Sequence, residues 1–445
     1  MAGQESKKNK YNLWDALNVT FNVQRFFCTF PLSRQGNQIV PSPFATCYSI
    51  VSMIVYINVL TLAVYVLRTE QTTKNVQPVE SEKRLSNSYL MILIVIFELV
   101  FNNVAILVIV LFSHIKQNSQ IRFLQKLYDI DLVIMDELKM DINYQRLRGM
   151  CYSAYIAIFI YFAALNCYLF YKLHAFNSLT PGVAFMATLY QFQQSATAIT
   201  TWTYVNYVTL VWNRFILIRK RQEDLSKEKK MLLKTGVKYT ENVSLLSTLL
   251  MSYKELCSCI DVLNNLSGSI LILMIAHDFT LTTSQVYLIS WIIMDNYGED
   301  KFELAFAVFL WMFPNLVKMG LTTFFTDITV DEVCNNAKAC SYTLNKGNKN
   351  SEDEDVRCML DSFDLWLLHH KIEFSANNFF KIDLNLLYAV IGALTSYVLI
   401  LIQFKQQEET FTDKNTGIGY VTATDYRENV SSLPTRNDLI NGFQN

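Results

Sequence analysis

The chain has 445 residues, of which 51% are apolar and only 17% are charged, and its formal net charge is -1. Soluble domains carry about a quarter charged residues, so this composition favours a membrane protein. A nearly neutral chain has no excess charge to attract nucleic acid, and no nucleic-acid partner is expected. The sequence lacks HExxH, GxSxG and P-loop motifs, and its nine cysteines form no CxxC pair. We therefore expect no enzyme, no cofactor and no metal site.

Seven segments are apolar over about the 20 residues that a membrane-spanning helix needs. In chain order they are 45–67, 89–112, 149–170, 183–211, 266–293, 303–325 and 382–404. Pro181 stands where the fourth span can begin, because a missing amide costs little there. Pro314 lies inside the sixth span and predicts a kink. The sequence thus predicts an all-α polytopic membrane protein with seven transmembrane helices.

The orientation follows from the loops. Most of the 38 lysines and arginines lie in the N-terminal segment and after the even-numbered spans. Positive residues accumulate in cytoplasmic loops, so the N-terminus is predicted to be cytoplasmic and the C-terminus extracellular, opposite to a G-protein-coupled receptor. The predicted parts are a cytoplasmic segment 1–44, a six-span bundle 45–325, a cytoplasmic loop and anchor helix 326–381, a seventh span 382–404 and a disordered extracellular tail 405–445 with a glycosylation sequon at Asn429.

Two cytoplasmic connections carry helical patterns. The alternating charges of 214–234 predict that the fourth helix continues into the cytoplasm, and 244–266 has the spacing of an amphipathic helix that returns to the membrane. These two segments form either a pair of solvent-exposed helices or a platform where subunits meet. The spacing of their apolar residues does not distinguish the two interpretations. In the last connection, 344–357 is typical of a flexible loop. After it, one helix face is predicted to hold Leu360, Phe363, Leu367 and Ile372.

Polar side chains are frequent in the outer halves of the predicted spans, and the second span carries Glu98. Such groups are costly in hydrocarbon and often functional, and this mixture suits a cavity for a small ligand. Interhelical hydrogen bonding is the alternative for each of them. His277 and Asp278 are neighbours, so we expect their side chains to diverge, each toward another helix. The candidate ligand-binding residues are Tyr168, Tyr190, Gln191, Gln194, His277, Thr280, Thr283, Gln285, Tyr287 and Trp311.

One face of the seventh span has a distinct pattern. Gly392, Ser396, Ile400 and Phe404 recur every four residues, and Gln403 adjoins them. The two small residues permit close helix approach, and an apolar ring beside an amide ring can narrow a pore. The candidate pore and gate residues are Ser396, Ile400, Gln403 and Phe404.

The end of this span resembles the C-terminal signature of insect gustatory receptors. That signature ends in Thr-Tyr, five apolar residues and Gln-Phe, and SYVLILIQF from Ser396 to Phe404 matches it. Upstream, LLHHKIEFSANNFFKID is similar to the family's Leu-Leu-His run and its Phe-Thr-Ala-Cys-Gly-like segment. Ser396 replaces the usual threonine. Asn378 stands where glycine is common, and asparagine tolerates the left-handed backbone of such a turn.

The resemblance implies a ligand-gated, non-selective cation channel in the plasma membrane of a sensory neuron. It implies a homotetramer or heterotetramer whose seventh helices line one pore, with cytoplasmic segments 219–265 and 326–381 as the anchor between subunits. A tastant, either a sugar or a bitter plant compound, would bind in the outer half of each bundle. Two alternatives remain: an odorant-type subunit that needs a co-receptor, and a transporter or membrane enzyme that uses His277 and Asp278.

Overall fold

The computed structural model describes residues 12–36, 38–74, 82–175, 181–234, 243–294, 301–348, 354–400, 402–403 and 407. The predictions for Phe404, for Asn429 and for nearly all of the tail lie outside these residues. The first elements are α1 (Leu13–Phe26), the hairpin β1 (Leu32–Gln35) and β2 (Gln38–Pro41), α2 (Pro43–Lys74), α3 (Glu82–Ile115), α4 (Gln117–Asp136) and α5 (Tyr144–Ala175). They are followed by α6 (Pro181–Lys234), α7 (Val243–Met294), α8 (Lys301–Asn348), α9 (Glu354–His369), the hairpin β3 (Ser375–Ala376) and β4 (Phe380–Lys381), and α10 (Leu384–Ile400).

The seven predicted spans fall on α2, α3, α5, α6, α7, α8 and α10. Four described stretches are long and apolar enough to cross a membrane: Ile96–Ile115, Tyr144–Lys172, Ser244–Met294 and Lys301–Lys338. Shorter apolar stretches lie in α2 and α10. Helix α6 is less apolar because glutamines, threonines and asparagines stand on its buried surface. The predicted all-α polytopic class is confirmed, with two small hairpins added to it.

Three helices extend far beyond a bilayer. Helices α6, α7 and α8 have 54, 52 and 48 residues, so each is roughly 70–80 Å long against a hydrocarbon core of about 30 Å. The predicted continuation of the fourth helix is confirmed, and Pro181 is the first residue of α6. Outside the predicted spans, α6 and α7 share an aromatic contact, in which the rings of Phe215 and Tyr253 meet edge to face with centroids 5.5 Å apart.

A buried ion pair joins α4, α5 and α6 beside this aromatic contact. The guanidinium of Arg214 donates to both carboxylate oxygens of Asp131, at 2.8 and 2.7 Å, and the hydroxyl of Tyr144 donates to the same carboxylate at 2.7 Å. Burial lowers the pKa of Arg214, but the Asp131 carboxylate more than offsets this, and its pKa lies above the usual value. The guanidinium therefore stays charged and fixes α4, a helix that the sequence did not predict.

The predicted flexible loop 344–357 is wrong at both ends. Helix α8 continues to Asn348 and α9 begins at Glu354. Single asparagine and glycine residues cost only about 1 kcal/mol each in a helix, and an established helix can propagate through them. The predicted apolar face of α9 is confirmed for Leu360 and Phe363, which are buried. Ile372 lies beyond the end of α9 at His369, so it does not share that face.

The β3–β4 hairpin connects α7 and α8 to the start of α10. Its turn places Asn377 and Asn378 at φ values of 53° and 61°, so the left-handed backbone predicted at Asn378 is confirmed. The amide of Asn264 on α7 donates to the carbonyl of Glu373 at 2.8 Å. The hydroxyl of Thr326 on α8 donates to the carbonyl of Ile382 at 2.7 Å. The segment that leads into α10 is thus fixed to both long helices.

Candidate functional site

A cluster of hydrogen-bonded side chains surrounds Glu98 on α3. We call it the Glu98 cluster; its other members are Tyr190 and Gln194 on α6, Ser284 and Gln285 on α7, and Asn315 on α8. The Tyr190 hydroxyl and the Gln285 amide donate to one carboxylate oxygen of Glu98, at 3.0 and 3.4 Å, and the Ser284 hydroxyl donates to the other. The Gln285 amide also donates to the Tyr190 hydroxyl at 3.0 Å. Side chains of three helices, α3, α6 and α7, therefore meet at one carboxylate.

Two further amides extend this cluster. The amide of Gln194 donates to the Tyr190 hydroxyl at 3.1 Å, and the amide of Asn315 donates to the Gln285 carbonyl oxygen at 3.2 Å. The half-buried ring of Trp311 stands perpendicular to the Tyr190 ring, with centroids 4.7 Å apart. The cluster thus combines a carboxylate, amides and two aromatic rings.

A second cluster lies next to the first and contains a buried ion pair. We call it the His277 cluster (Asn102, Thr197, His277, Asp278 and Lys318). The ammonium of Lys318 lies 2.5 Å from the carboxylate of Asp278 and donates to the Thr197 hydroxyl at 3.0 Å. The imidazole of His277 contacts α3, where its Nε2 lies 2.8 Å from the amide oxygen of Asn102. Because Asn102 follows Glu98 by one helical turn on α3, the two clusters are adjacent.

The expectation that His277 and Asp278 point apart is wrong. His277 Nδ1 lies 3.0 Å from Asp278 Oδ1. Backbone spacing separates neighbouring side chains by about 100°, but the carboxylate of Asp278 lies between His277 and Lys318 and contacts both. The expected contacts with other helices are present as well, to Asn102 on α3 and Lys318 on α8.

Only part of the predicted ligand-binding set comes together. Tyr190, Gln194, Gln285 and Trp311 meet at the Glu98 cluster, and His277 lies in the neighbouring one. The remaining five candidates, which lie outside both clusters, are Tyr168, Gln191, Thr280, Thr283 and Tyr287.

Those five have other surroundings. The hydroxyls of Thr280 and Thr283 donate to carbonyls of their own helix, at 2.8 Å each. Tyr168 lies near the C-terminal end of α5, where the ammonium of Lys172 stands 6.0 Å from its ring. Tyr287 is half-buried, and Gln191 is buried with no hydrogen-bond partner for its amide among the described residues. The hydroxyl hydrogens of Thr280 and Thr283 are thus already used within α7.

Seven members of the clusters were absent from the predicted ligand-binding set: Glu98, Asn102, Thr197, Asp278, Ser284, Asn315 and Lys318. The usable signal was charge. Glu98 is the only Asp, Glu, Lys or Arg residue of the predicted span 89–112, and Lys318 lies in the interior of the span 303–325. Such residues are rarely tolerated in a membrane without a partner or a function.

Two cavities lie close to the His277 cluster. One, of about 60 Å³, is bounded by Asp278 and Lys318 and is lined mainly by hydroxyl and apolar side chains, among them Thr200, Tyr204, Tyr207 and Thr322. The other is an apolar groove of about 340 Å³ between α5, α6 and α8 that includes Trp202 and Pro314. Neither is lined by members of the Glu98 cluster, so the predicted cavity at the outer polar residues stays a prediction.

Proline 314 lies within α8 and cannot donate the amide hydrogen bond that a helix requires. The carbonyl it leaves without this donor is that of Leu310, four residues earlier. The hydroxyl of Tyr161 on α5 donates to that carbonyl at 2.5 Å. A side chain of a neighbouring helix thus replaces the missing backbone donor, as membrane helices with prolines require. The kink itself stays a prediction.

Helix α10 lies at the edge of the chain with most of its surface uncovered. Tyr388, Ile391, Leu399 and Ile400 are 66%, 50%, 55% and 45% exposed. Ser396 and Gln403 are also exposed. A Cβ placed on Gly392 meets nothing within 4 Å. The pattern of small and apolar residues on this helix is therefore not explained by packing within one chain.

Among the described residues, no group of three or more histidine, cysteine, aspartate or glutamate side chains is placed to hold a metal ion. His370 instead stacks on Trp366, with ring centroids 4.7 Å apart. Its Nε2 lies 3.5 Å from a carboxylate oxygen of Asp261 on α7. These contacts give the histidine a packing role between α9 and α7.

Comparison with known proteins gives the family. The family model described as 7tm Chemosensory receptor matches residues 17–408. Similar curated proteins include the Drosophila melanogaster gustatory receptor for bitter taste 66a, 27% identical over 42% of this chain, and gustatory receptor 68a, 26% identical over 36%. These matches span only 37% and 43% of the relatives' own length.

A solved structure shares the fold. The olfactory receptor OR5 from Machilis hrabei superposes with a TM-score of 0.59 at 11% sequence identity, over 87% of this chain and 97% of that one. At that identity the likeness is one of fold alone. The family match across nearly the whole chain, together with the helical architecture, decides the assignment: this chain belongs to the seven-transmembrane chemosensory receptor family.

Proposed function

We propose that this chain is a gustatory receptor subunit that forms a ligand-gated, non-selective cation channel opened by a small tastant. The family match and the gustatory relatives support the receptor class. The proposal places the protein in the plasma membrane of a sensory neuron, with the N-terminus in the cytoplasm. No catalytic role is proposed, since the family is one of chemosensory receptors.

The observation that carries the channel proposal is the uncovered surface of α10. A membrane helix can leave apolar side chains exposed to lipid, but lipid gives no reason for the small pair Gly392 and Ser396, whose use is close helix approach. Four copies of the chain around one axis would bring these helices together, with the exposed Ile400 and Gln403 near the outer end. The proposed gate is formed by Ser396, Ile400, Gln403 and Phe404.

The proposed ligand site is the Glu98 cluster, because four helices contribute to it and one of them, α7, also contacts the hairpin before α10. The Machilis hrabei receptor has been solved in complex with eugenol, with a TM-score of 0.52 to this chain. That receptor thus holds a small aromatic molecule. A small aromatic or hydroxylated tastant is the corresponding proposal here, and one relative is named as a receptor for bitter taste.

The experiment is electrophysiology on the Gln403→Ala variant in a heterologous cell, with Val398→Ala as the control on the other side of α10. We expect Gln403→Ala to change basal current or conductance at unchanged surface expression, while Val398→Ala leaves both as in the parent protein. Currents identical in all three proteins would contradict the gate. Currents that appear only with a co-expressed second receptor would favour the odorant-type alternative. Uptake of a solute without current would favour the transporter.

A further inference from the structure

Two carboxylates lie buried in the membrane-spanning part of the described chain, and they differ in their partners. Asp278 contacts the ammonium of Lys318 at 2.5 Å. Glu98 is 5% exposed and, among the residues that the structure describes, receives hydrogen bonds only from the neutral side chains of Tyr190, Ser284 and Gln285. Within the described residues, no lysine, arginine or histidine forms an ion pair with Glu98. A buried carboxylate without a cation is unusual, because its counter-charge normally accompanies it.

The surroundings of Glu98 also have unused hydrogen-bond acceptors. Gln194 and Asn315 are 2% and 0% exposed, and each uses its amide NH₂ on a neighbour. Their carbonyl oxygens, Gln194 Oε1 and Asn315 Oδ1, have no partner among the residues that the structure describes. The cluster thus presents a carboxylate and two amide oxygens that all accept. A ligand that fits it must bring N–H donors, preferably with positive charge.

Aromatic rings complete this arrangement. Tyr190 and Trp311 stand perpendicular to each other beside the carboxylate, with centroids 4.7 Å apart. In a perpendicular pair, the edge of one ring points at the face of the other. An aromatic face attracts a cation that lies within about 6 Å of the ring centroid. Sugars carry hydroxyls that both donate and accept, and they carry no charge, so this cluster has no preference for them over water.

From these observations we propose that the Glu98 cluster selects protonated organic amines: the ligand's ammonium binds Glu98 and the amide oxygens of Gln194 and Asn315, and its apolar part lies against Trp311. The proposal rests on the proposed function, in which this cluster is the tastant site, and it narrows the tastant to cationic amines.

The test compares benzylamine and 2-phenylethylamine, which are protonated at neutral pH, with benzyl alcohol and 2-phenylethanol, their neutral counterparts of nearly the same shape. Each is applied to cells that express the full chain, and opening or block of the current is recorded. We expect the amines to act at concentrations at least tenfold lower than the alcohols. The variant Glu98→Gln, which keeps the shape and removes the charge, should abolish this preference. Thr283→Val, which changes a self-bonded hydroxyl on α7, should retain it.

Equal potency of amines and alcohols in the parent protein would overturn the amine proposal while leaving the channel intact. If the channel passes no current at all, the proposed function fails, and thermal unfolding of the purified protein then tests the amine site by itself. Stabilisation by the amines and not by the alcohols supports the site, and equal stabilisation or none overturns it. If Glu98→Gln does not reach the surface, Glu98→Asp retains the charge, and its preference for amines must persist.

Discussion

The buried pair of Lys318 and Asp278 gives a prediction whose size follows from the geometry. At a separation of 2.5 Å and an effective dielectric constant of 20, the two charges attract by about 7 kcal/mol. Removing both from water costs several kcal/mol for each ion, so the intact pair contributes little net stability. Removal of one partner leaves the other charge buried and uncompensated, which costs about 3–5 kcal/mol.

We therefore expect Lys318→Met and Asp278→Asn each to lower the free energy of unfolding by about 3–5 kcal/mol. The double variant should recover most of the loss, because neither charge is then buried. The assay is thermal unfolding of purified protein in detergent, followed by tryptophan fluorescence, together with surface expression in cells. The matched control is the partly exposed pair of Arg219 and Glu332, at 2.6 Å, where Arg219→Met should cost about 1 kcal/mol or less.

Additive losses would refute this reasoning. If the double variant is destabilised by the sum of the two single losses, the two side chains act independently and the 2.5 Å contact carries no coupling. A single-variant loss no larger than that of the Arg219 control would have the same meaning, since it would show that water reaches the pair.

Two further substitutions test close contacts between elements. Gly268→Ala places a Cβ 2.7 Å from the backbone nitrogen of Asn377, so we expect it to displace the β3–β4 hairpin and lower surface expression or current, whereas Gly320→Ala, with nothing within 4 Å, should be neutral or stabilising. Normal current and expression from Gly268→Ala would contradict this contact. Tyr161→Phe should lower the midpoint of thermal unfolding, because it removes the donor to the carbonyl that Pro314 leaves unpaired, at a cost of about 1–3 kcal/mol. In a Pro314→Ala background the restored amide should make the same change nearly neutral, and an equal loss in both backgrounds would exclude the replacement role.

The helices were predictable where local rules decide them. Long apolar stretches placed the spans, Pro181 marked the start of α6, and the asparagine at 378 indicated a left-handed turn. Helix α4 was missed although its buried residues Phe123, Leu127, Ile130 and Ile134 recur at helical spacing, because its charged and polar residues exclude it as a membrane span. The Arg214–Asp131 pair that holds it joins residues distant in sequence. A window of neighbouring residues contains no information about such a partner.

The sequence predicted which helices carry the polar residues of the site, but not which of these side chains contact one another. Intramembrane polar residues indicated the correct helices, but sequence could not show that Thr280 and Thr283 satisfy themselves on their own helix. Nor could it show that Glu98 is the residue on which Tyr190 and Gln285 converge. Convergence depends on the rotation of each helix about its axis, and that rotation is fixed by packing across the whole bundle.

Two of the helices that form the clusters, α7 and α8, also hold the base of α10. Helix α7 contributes Gln285 to the Glu98 cluster and Asn264 to the hairpin, roughly 30 Å apart along one helix. Helix α8 contributes Asn315 to the same cluster and Thr326 to the carbonyl of Ile382, immediately before α10. A continuous helix transmits a rotation or shift at one end to the other, because its backbone hydrogen bonds keep it rigid. We therefore expect a ligand that separates α7 from α8 at the Glu98 cluster to move the hairpin, and with it the start of the proposed pore helix, without any contact between ligand and pore.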